Sequence, residues 1–435
     1  MIIRTEQYVH EAALGIRNPV LQISLAGLQE RLGKGDLAAY QSLPEGPDLR
    51  YVAHDMRMSN ICHLDIFLET LTDRIQEQGG HVFFASDAKA AVQYCIDVAA
   101  RNDVRRVVKG KSMVSEEIGL NPALEAEGIE VTETDLGEYI VQLANGHPSH
   151  IIAPAIHKTR EDVGRLFSEK LGIPFTSDPP PLTRAARNAL REKFLNADMG
   201  ISGCNLACAQ TGHITTLSNE GNIRMASTLP RIHIAIMGME RVAATLDEHQ
   251  VLLRLLSRGA AAQKMAGYVS YIGGPRQPGH MDGPDAFHLV ILDNGRSRIL
   301  ADPEFREMLC CIRCVWRLNV CPVHIDIPRM LLALRSKLAD GDPVWNVKRK
   351  SRLEKASFVL WSWLVTHPGL YDMVLGHSAS AQNHWLSSKK ENRMISKLPG
   401  PLSGWTRSRD LRPLAKKRFV QTYCPGKPDE SESPE

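Results

Sequence analysis

A chain of 435 residues is long for one core, so two or three structural units are expected. Its 43% hydrophobic and 23% charged residues sit in the globular range, and a net charge of +3 gives no argument for a nucleic-acid partner. The charge is uneven, roughly +8 from Asn346 onward and near −5 before it, so the C-terminal part is either a solvated tail or a contact to an acidic partner or a membrane surface.

In chain order, residues 1 to 75 lack strand signals and carry helical patterns such as Ile66, Leu68, Leu71 and Ile75, which predict a helical N-terminal extension. From Gly79 the texture changes. GGHVFFA reads as a turn and a short buried strand, and Ser86 and Asp87 then cap a helix whose face is Ala91, Val92, Cys95, Ile96 and Ala99. Strand-like runs recur at 104–108, 129–134, 150–156, 200–204, 213–218, 233–238 and 288–293. A helix from Thr159 to Leu171, with Thr159 as its cap, is among those separating them. The alternation predicts an α/β domain with a mainly parallel sheet of six to eight strands covered by helices.

A short amphipathic helix follows Pro328 (MLLALRSKL), with a break at Asp340 to Pro343. The strongest apolar run, Ala356 to Leu364, is about half the length needed to cross a bilayer. Gly, Pro and charge clusters from Lys397 onward predict little regular structure, and the last residues read as disordered. Residues Met1 to Gln7 lack the apolar stretch of a signal peptide, and four of the nine cysteines crowd between Cys310 and Cys321. Both features point to metal binding in a reducing compartment, hence a cytoplasmic protein.

The cysteine run is Cys310-Cys311-x2-Cys314-x2-Arg317-x3-Cys321-Pro322. Ferredoxin spacing is C-x2-C-x2-C-x3-C-P, so Cys311, Cys314 and Cys321 fall on the first, second and fourth positions. Arg317 occupies the third and cannot ligate iron. Cys311-x2-Cys314 with Cys321-x2-His324 also outlines a Cys3His zinc site, with a short intervening loop. An iron–sulfur cluster, zinc and no metal remain open at this point.

From about Gly79 to Phe419 the chain resembles the lactate-utilisation protein B family. The segments that carry the resemblance include KGKSMVSEEIGLN, VTETDLGEYIVQL, ISGCNLACAQTG, SNEGNIRMASTLP, DGPDAFHLVILDNGRS and GPLSGWTRSRDL. The resemblance implies a lactate-utilisation (LUD) domain with the fold of the sugar-phosphate isomerase and CoA-transferase group. It also implies two [4Fe–4S] clusters, and electron transfer during oxidation of L-lactate to pyruvate alongside partner proteins of the same operon. The chain departs from the family pattern where NVCPV runs directly into HIDIPRMLLALR, which reads as an internal deletion joining two cysteine motifs. One cubane would then take its fourth ligand from Cys310, His324, Cys424 or outside the chain.

Other segments offer ligand chemistry. SNEGNIR places Glu220, Asn222 and Arg224 in a turn after a strand, a set suited to a carboxylate or phosphate. KGKSMVSEE ends a strand and opens a helix with Ser115 as candidate cap, where Lys109 or Lys111 offers charge to an anion. Cys204 and Cys208, four apart, read as small buried thiols or else as a redox pair. No G-x-G-x-x-G follows a strand, so no dinucleotide fingerprint is present.

The expected organisation is a helical extension (1–75), the α/β domain (76–300), a truncated ferredoxin-like segment (301–345) and a basic tail (346–435). The expected function is an iron–sulfur electron-transfer subunit, or else a cluster-free ligand-binding or scaffold protein of the same complex. No transmembrane segment is expected.

Overall fold

The computed structural model describes residues 8–43, 45–150, 153–312, 321–347 and 352–385, with a few short stretches between 394 and 412. The chain divides into one unit built from Asn18–Leu331 and a second from Thr5–Arg17 with Leu332–Glu435.

Helix α1 (Tyr8–Arg17) belongs to the second unit. The first unit opens with α2 (Pro19–Gln41), α3 (Gly46–Cys62) and α4 (Leu64–Glu77). On α4 the inward face is Leu64, Leu68, Leu71 and Ile75, while Ile66 faces solvent, one position off the expected stripe. The alternating part follows as β1 (His81–Ala85), α5 (Ala88–Arg101), β2 (Arg106–Lys109), α6 (Met113–Glu117), α7 (Leu120–Ala126), β3 (Glu130–Glu133) and α8 (Leu136–Leu143). Next come α9 (Arg160–Leu171), α10 (Pro179–Leu195), β4 (Met199–Gly203), β5 (Leu206–Cys208), β6 (His213–Ser218), α11 (Asn222–Thr228) and β7 (Ile232–Gly238). The remaining elements of this part are β8 (Val242–Ala243), α12 (Leu246–Ala261), β9 (Tyr268–Ile272), β10 (Ala286–Leu292) and α13 (Arg296–Ala301). Helices α14 (Ile327–Asp340), α15 (Arg352–Val365) and α16 (Pro368–Trp385) are the last helices among the described residues.

Six strands form one sheet in the order β1-β10-β7-β4-β2-β3, every pair parallel. Parallel strands are usually buried on both faces, and the inner strands β4 and β7 are, whereas the edge strand β1, expected to be buried, leaves His81 and Phe84 exposed. Cys95 and Val98 of α5 pack with Val107, Ile201, Ile234 and Val290 on one side. Tyr139, Leu190 and Phe194 from α8 and α10 cover part of the other. Caps fix the helix starts: Asp87 accepts from Ala90 N, and Thr159 forms a capping box with Asp162.

The expected strand at 150–156 is not formed over 153–156, which is mostly turn, and residues 151–152 lie outside the described ones. HITTLS is a strand but not in the parallel sheet. As β6 it pairs antiparallel with β5 and β9 in a second sheet, ordered β8-β5-β6-β9. The region from 346 onward, read from composition as a tail, contains α15 and α16.

Candidate functional site

Because all strands of the main sheet run in one direction, the segments leaving their carboxyl ends gather along one edge. The chain goes outward from β2 to β3, then returns across β2 to β4 and continues the other way through β7 to β10. The segments leaving β2 and β4 therefore diverge, which opens a crevice of the kind that binds ligands in open α/β sheets.

A cleft of about 250 Å³ occupies this region. Its polar wall includes Lys111, Asp135, Asn205, Glu220 and Asn222, and Leu256 and Ala260 of α12 supply apolar surface. Gly221, at φ +73°, takes the left-handed turn that starts α11 and sets Asn222 in place. Asn222 Nδ2 donates to Thr134 Oγ1 at 3.2 Å, and Ser218 Oγ donates to Asn222 Oδ1 at 2.7 Å. Asp135 caps α8, accepting from Gly137 N and Glu138 N. Glu220 Oε2 accepts from Leu136 N at 3.2 Å, which ties the SNEGNIR turn to the start of α8. Lys111 Nζ stands 3.6 Å from the buried Glu138 carboxylate, whose pKa burial pushes up to about 7. Thus Glu220 and Asn222 line the cleft, while Arg224 sits on the exposed face of α11.

The two lysines of KGK separate. Lys109 is 1% exposed, and its Nζ lies 2.8 Å from Glu133 Oε1 and 3.1 Å from Ser115 Oγ. It is committed to the domain's interior, so Lys111 is the one on the cleft. The cap of α6 is Ser112 and not Ser115, whose hydroxyl instead donates to Ser112 O. Gln210, at the end of ISGCNLACAQ, accepts from Leu246 N at the start of α12. Cys208 is buried; Cys204 is partly exposed, and burial raises its thiol pKa to about 12.

The cysteine segment is held from α3. Arg50, His54 and Arg57 recur at four and three residues, which sets them on one helical face. Arg50 Nε and Nη2 donate to Cys321 O at 3.0 and 2.6 Å, and His54 Nδ1 lies 2.9 Å from Val323 O. The fully buried Arg57 donates to Leu309 O at 2.9 Å, Val242 O at 2.7 Å, Cys310 O at 3.4 Å and Glu240 O. Arg241 donates to Ile312 O at 2.8 Å. The chain is pinned on both sides of residues 313–320, which lie outside the described residues and include Cys314 and Arg317. This clamp is absent from the expectations drawn above. Its signal, two arginines and a histidine at i, i+7 and i+4 in RYVAHDMR, is present in the sequence.

The thiols face different surroundings. Cys310 Sγ donates to Met58 Sδ at 3.3 Å, and burial pushes its pKa up to about 12. Cys321 Sγ accepts from Ile325 N at 3.4 Å. His324, at φ +46°, stacks on Tyr51 at 4.1 Å, and its buried Nε2 has no hydrogen-bond partner among the described residues. Among the described residues no three His, Cys, Asp or Glu side chains converge to hold a metal. Two [4Fe–4S] clusters need eight protein ligands, more than this segment supplies. The donor set therefore does not fit the pair of clusters that the resemblance implies.

Comparison with known proteins places the chain. Residues 68–292 match the LUD domain family. The chain is 38% identical to the lactate utilization protein B of Bacillus velezensis, covering 96% of this chain and 97% of that one. The corresponding figures for the lactate utilization protein B of Bacillus subtilis are 36%, 98% and 97%. An Escherichia coli protein named "Uncharacterized electron transport protein YkgF" is 45% identical, over 91% of this chain and 92% of its own. The two Bacillus matches run over 470 and 475 aligned positions, more than the 435 residues here, so those relatives carry internal residues without a counterpart in this chain. A crystal structure of a DUF162 family protein from Deinococcus radiodurans aligns at 16% identity and TM-score 0.30, over 53% of this chain and 98% of that one. By its domain match and its relatives, the chain belongs to the LUD-domain family of lactate utilization protein B, and carries an internal deletion relative to those relatives.

Proposed function

We propose that this protein serves lactate utilisation as part of an electron-transfer system, and that its own contribution is to bind a small hydroxy acid in the cleft at the strand ends. The observation that carries this reading is the shared wall of Lys111, Asp135, Glu220 and Asn222. An ammonium group suits the ligand's carboxylate, and a side-chain carboxylate accepts from its hydroxyl. Leu256 and Ala260 offer apolar surface to a methyl group. The proteins it works with are then other lactate-utilisation proteins, to which the redox chemistry falls.

Titration calorimetry with L-lactate and pyruvate tests the reading. Binding by the full chain is expected, and Lys111→Met weakens it by roughly 10–100-fold, the worth of one charge-assisted hydrogen bond. Arg224→Ala, outside the cleft, leaves affinity within about twofold, as expected for a group that makes no ligand contact. Absence of binding at millimolar ligand sinks the proposal.

A second reading is favoured by the clamp on the cysteine segment. Arg50, Arg57 and Arg241 hold its backbone at Cys321, Leu309 and Ile312, which places positive charge beside the segment. In this reading the chain is itself an iron–sulfur electron carrier with a single cluster, completed by Cys310 or His324. Anaerobic purification with iron and acid-labile sulfide analysis decides between the two. Stoichiometric iron and sulfide that Cys311→Ala abolishes supports the carrier. Absence of both in a folded protein leaves the binding reading standing.

A further inference from the structure

Lys111 faces several carboxylates at once. Asp135 and Glu220 line the cleft beside it. Behind the wall, Glu138 in the first turn of α8 lies 3.6 Å from Lys111 Nζ, and the side chains of the pair are only 8% and 11% exposed. The neighbouring Lys109 is already committed, with its Nζ 2.8 Å from Glu133 Oε1 and 3.7 Å from Glu116 Oε1. The charges that act on Glu138 are Lys111 and Lys109, which favour its ionised form, and Glu133 and Glu116, which oppose it. Burial, and then Lys111, lower the pKa of the nearby His150, so its imidazole adds no positive charge near neutral pH.

A ligand carboxylate on Lys111 adds one more anion to this set. In a poorly solvated site two carboxylates sharing one ammonium repel each other, and a like charge nearby favours the protonated acid. Glu138 is the group placed to yield. Burial is the largest influence on it and raises its pKa from the usual 4.5 to about 7, so near neutral pH this carboxyl group already exchanges its proton. Glu220 is moved in the same direction, by burial and then by Asp135. Its Oε2, however, accepts from Leu136 N at 3.2 Å, a hydrogen bond that favours the ionised form.

We propose that an anion enters this cleft together with a proton, taken from solvent and held as the carboxylic acid of Glu138, which releases Lys111 to the ligand. Glu138 is then a positioning residue: it stands against Lys111 and is not part of the cleft wall. The proposal rests on the reading of the cleft as a hydroxy-acid site, and adds that lactate is taken up with the charge balance of lactic acid.

Titration calorimetry of the full chain with L-lactate, from about pH 6 to pH 8.5, tests it. The ligand's own carboxyl group stays ionised throughout. A bound anion that raises the Glu138 pKa by about one unit makes affinity fall about five- to tenfold across this window, strongest at the acid end. Heats measured in Tris and in HEPES should then report uptake of about half a proton per ligand near pH 7.5. Glu138→Gln fixes the neutral state, so it should lose this slope and bind about five- to tenfold more tightly than the parent at pH 8.5, while matching it within about twofold at pH 6. A merely structural role instead predicts weaker binding by the variant at every pH, a result that overturns the proposal. Lactate binding by the parent without proton uptake, which needs no variant to fold, overturns it and leaves the hydroxy-acid reading standing. Uptake that persists in folded Glu138→Gln also overturns it and assigns the proton to Glu220 or His150. Absence of binding at every pH sinks the hydroxy-acid reading itself, and this proposal with it.

Discussion

Lys109 Nζ and Glu133 Oε1 lie 2.8 Å apart at the carboxyl ends of β2 and β3, both side chains inside the domain. Glu116 Oε1 lies 3.7 Å from Lys109 Nζ, Ser115 Oγ and Asn121 Nδ2 also bond the pair, and Glu133 Oε2 has no hydrogen-bond partner among the described residues. Removing one member leaves an uncompensated buried charge. Lys109→Met is expected to cost about 3–5 kcal/mol in urea unfolding. A loss below about 1 kcal/mol would show that the pair is solvated.

Arg57 makes a comparable commitment through hydrogen bonds. It is fully buried on α3 and bonds four carbonyls of two separate segments, Glu240 and Val242 in one and Leu309 and Cys310 in the other. Arg57→Met leaves these carbonyls unpaired and is expected to destabilise by about 3 kcal/mol or more. Arg57→Lys rescues little, since one ammonium cannot reproduce the planar fork. Limited proteolysis near residues 309–325 should quicken in both variants. Unchanged cleavage in a destabilised Arg57→Met would mean that Arg57 does not hold the cysteine segment.

Three histidines give the fold a sensitivity to acid. Burial lowers the pKa of His233 to about 3 and those of His249 and His288 to about 4, and repulsion from neighbouring histidine rings, and from Arg101 at His288, acts in the same direction. The unfolded chain, with histidine near 6.5, then binds more protons than the native one, so stability rises with pH. It is complete above about pH 7 and is lost as pH falls from about 6.5 toward 4. The fully buried His233 alone accounts for about 2 kcal/mol at pH 5. His233→Asn should flatten the slope of melting temperature against pH in this window. Glu138 has the opposite sign: with its folded pKa raised to about 7, its ionisation disfavours the native state as pH rises. Glu138→Gln should therefore melt above the parent at pH 8.5 and close to it at pH 5.

Gly200 connects packing to the cleft. A Cβ at this position of β4 would lie 1.7 Å from Ala226 O of α11. Gly200→Ala must push α11 away from the sheet, at about 2–3 kcal/mol. Asn222, at the start of α11, moves with it, so lactate affinity should fall together with stability. A variant with parent stability and affinity would show that the helix rides free of the strand.

Several features were legible in the sequence for plain physical reasons. Buried parallel strands announce themselves as short β-branched runs, which is why the expected runs VRRVV, IEVTET and HIAIMG overlap β2, β3 and β7. Asp87 and Thr159 were readable as caps because capping is local chemistry. Arg317 in the third cysteine position and the fusion of NVCPV to HIDIP need only the order of residues, and the longer aligned span of the Bacillus relatives accords with that loss.

Tertiary structure decided what depends on distant partners. HITTLS has the pattern of any half-buried strand, and its pairing with β5 and β9 placed it in a second sheet. Lys109 and Lys111 are equivalent cations in KGK, yet Lys109 ends β2 and is paired inside with Glu133, while Lys111 lies past the strand on the cleft wall. Arg224 shares a heptapeptide with Asn222, but two residues along a helix turn a side chain roughly 200° away. Order along the chain determined the lineage and the broken cysteine motif. Three-dimensional proximity determined which charges are buried, which line the cleft, and that the cysteine segment is gripped by α3.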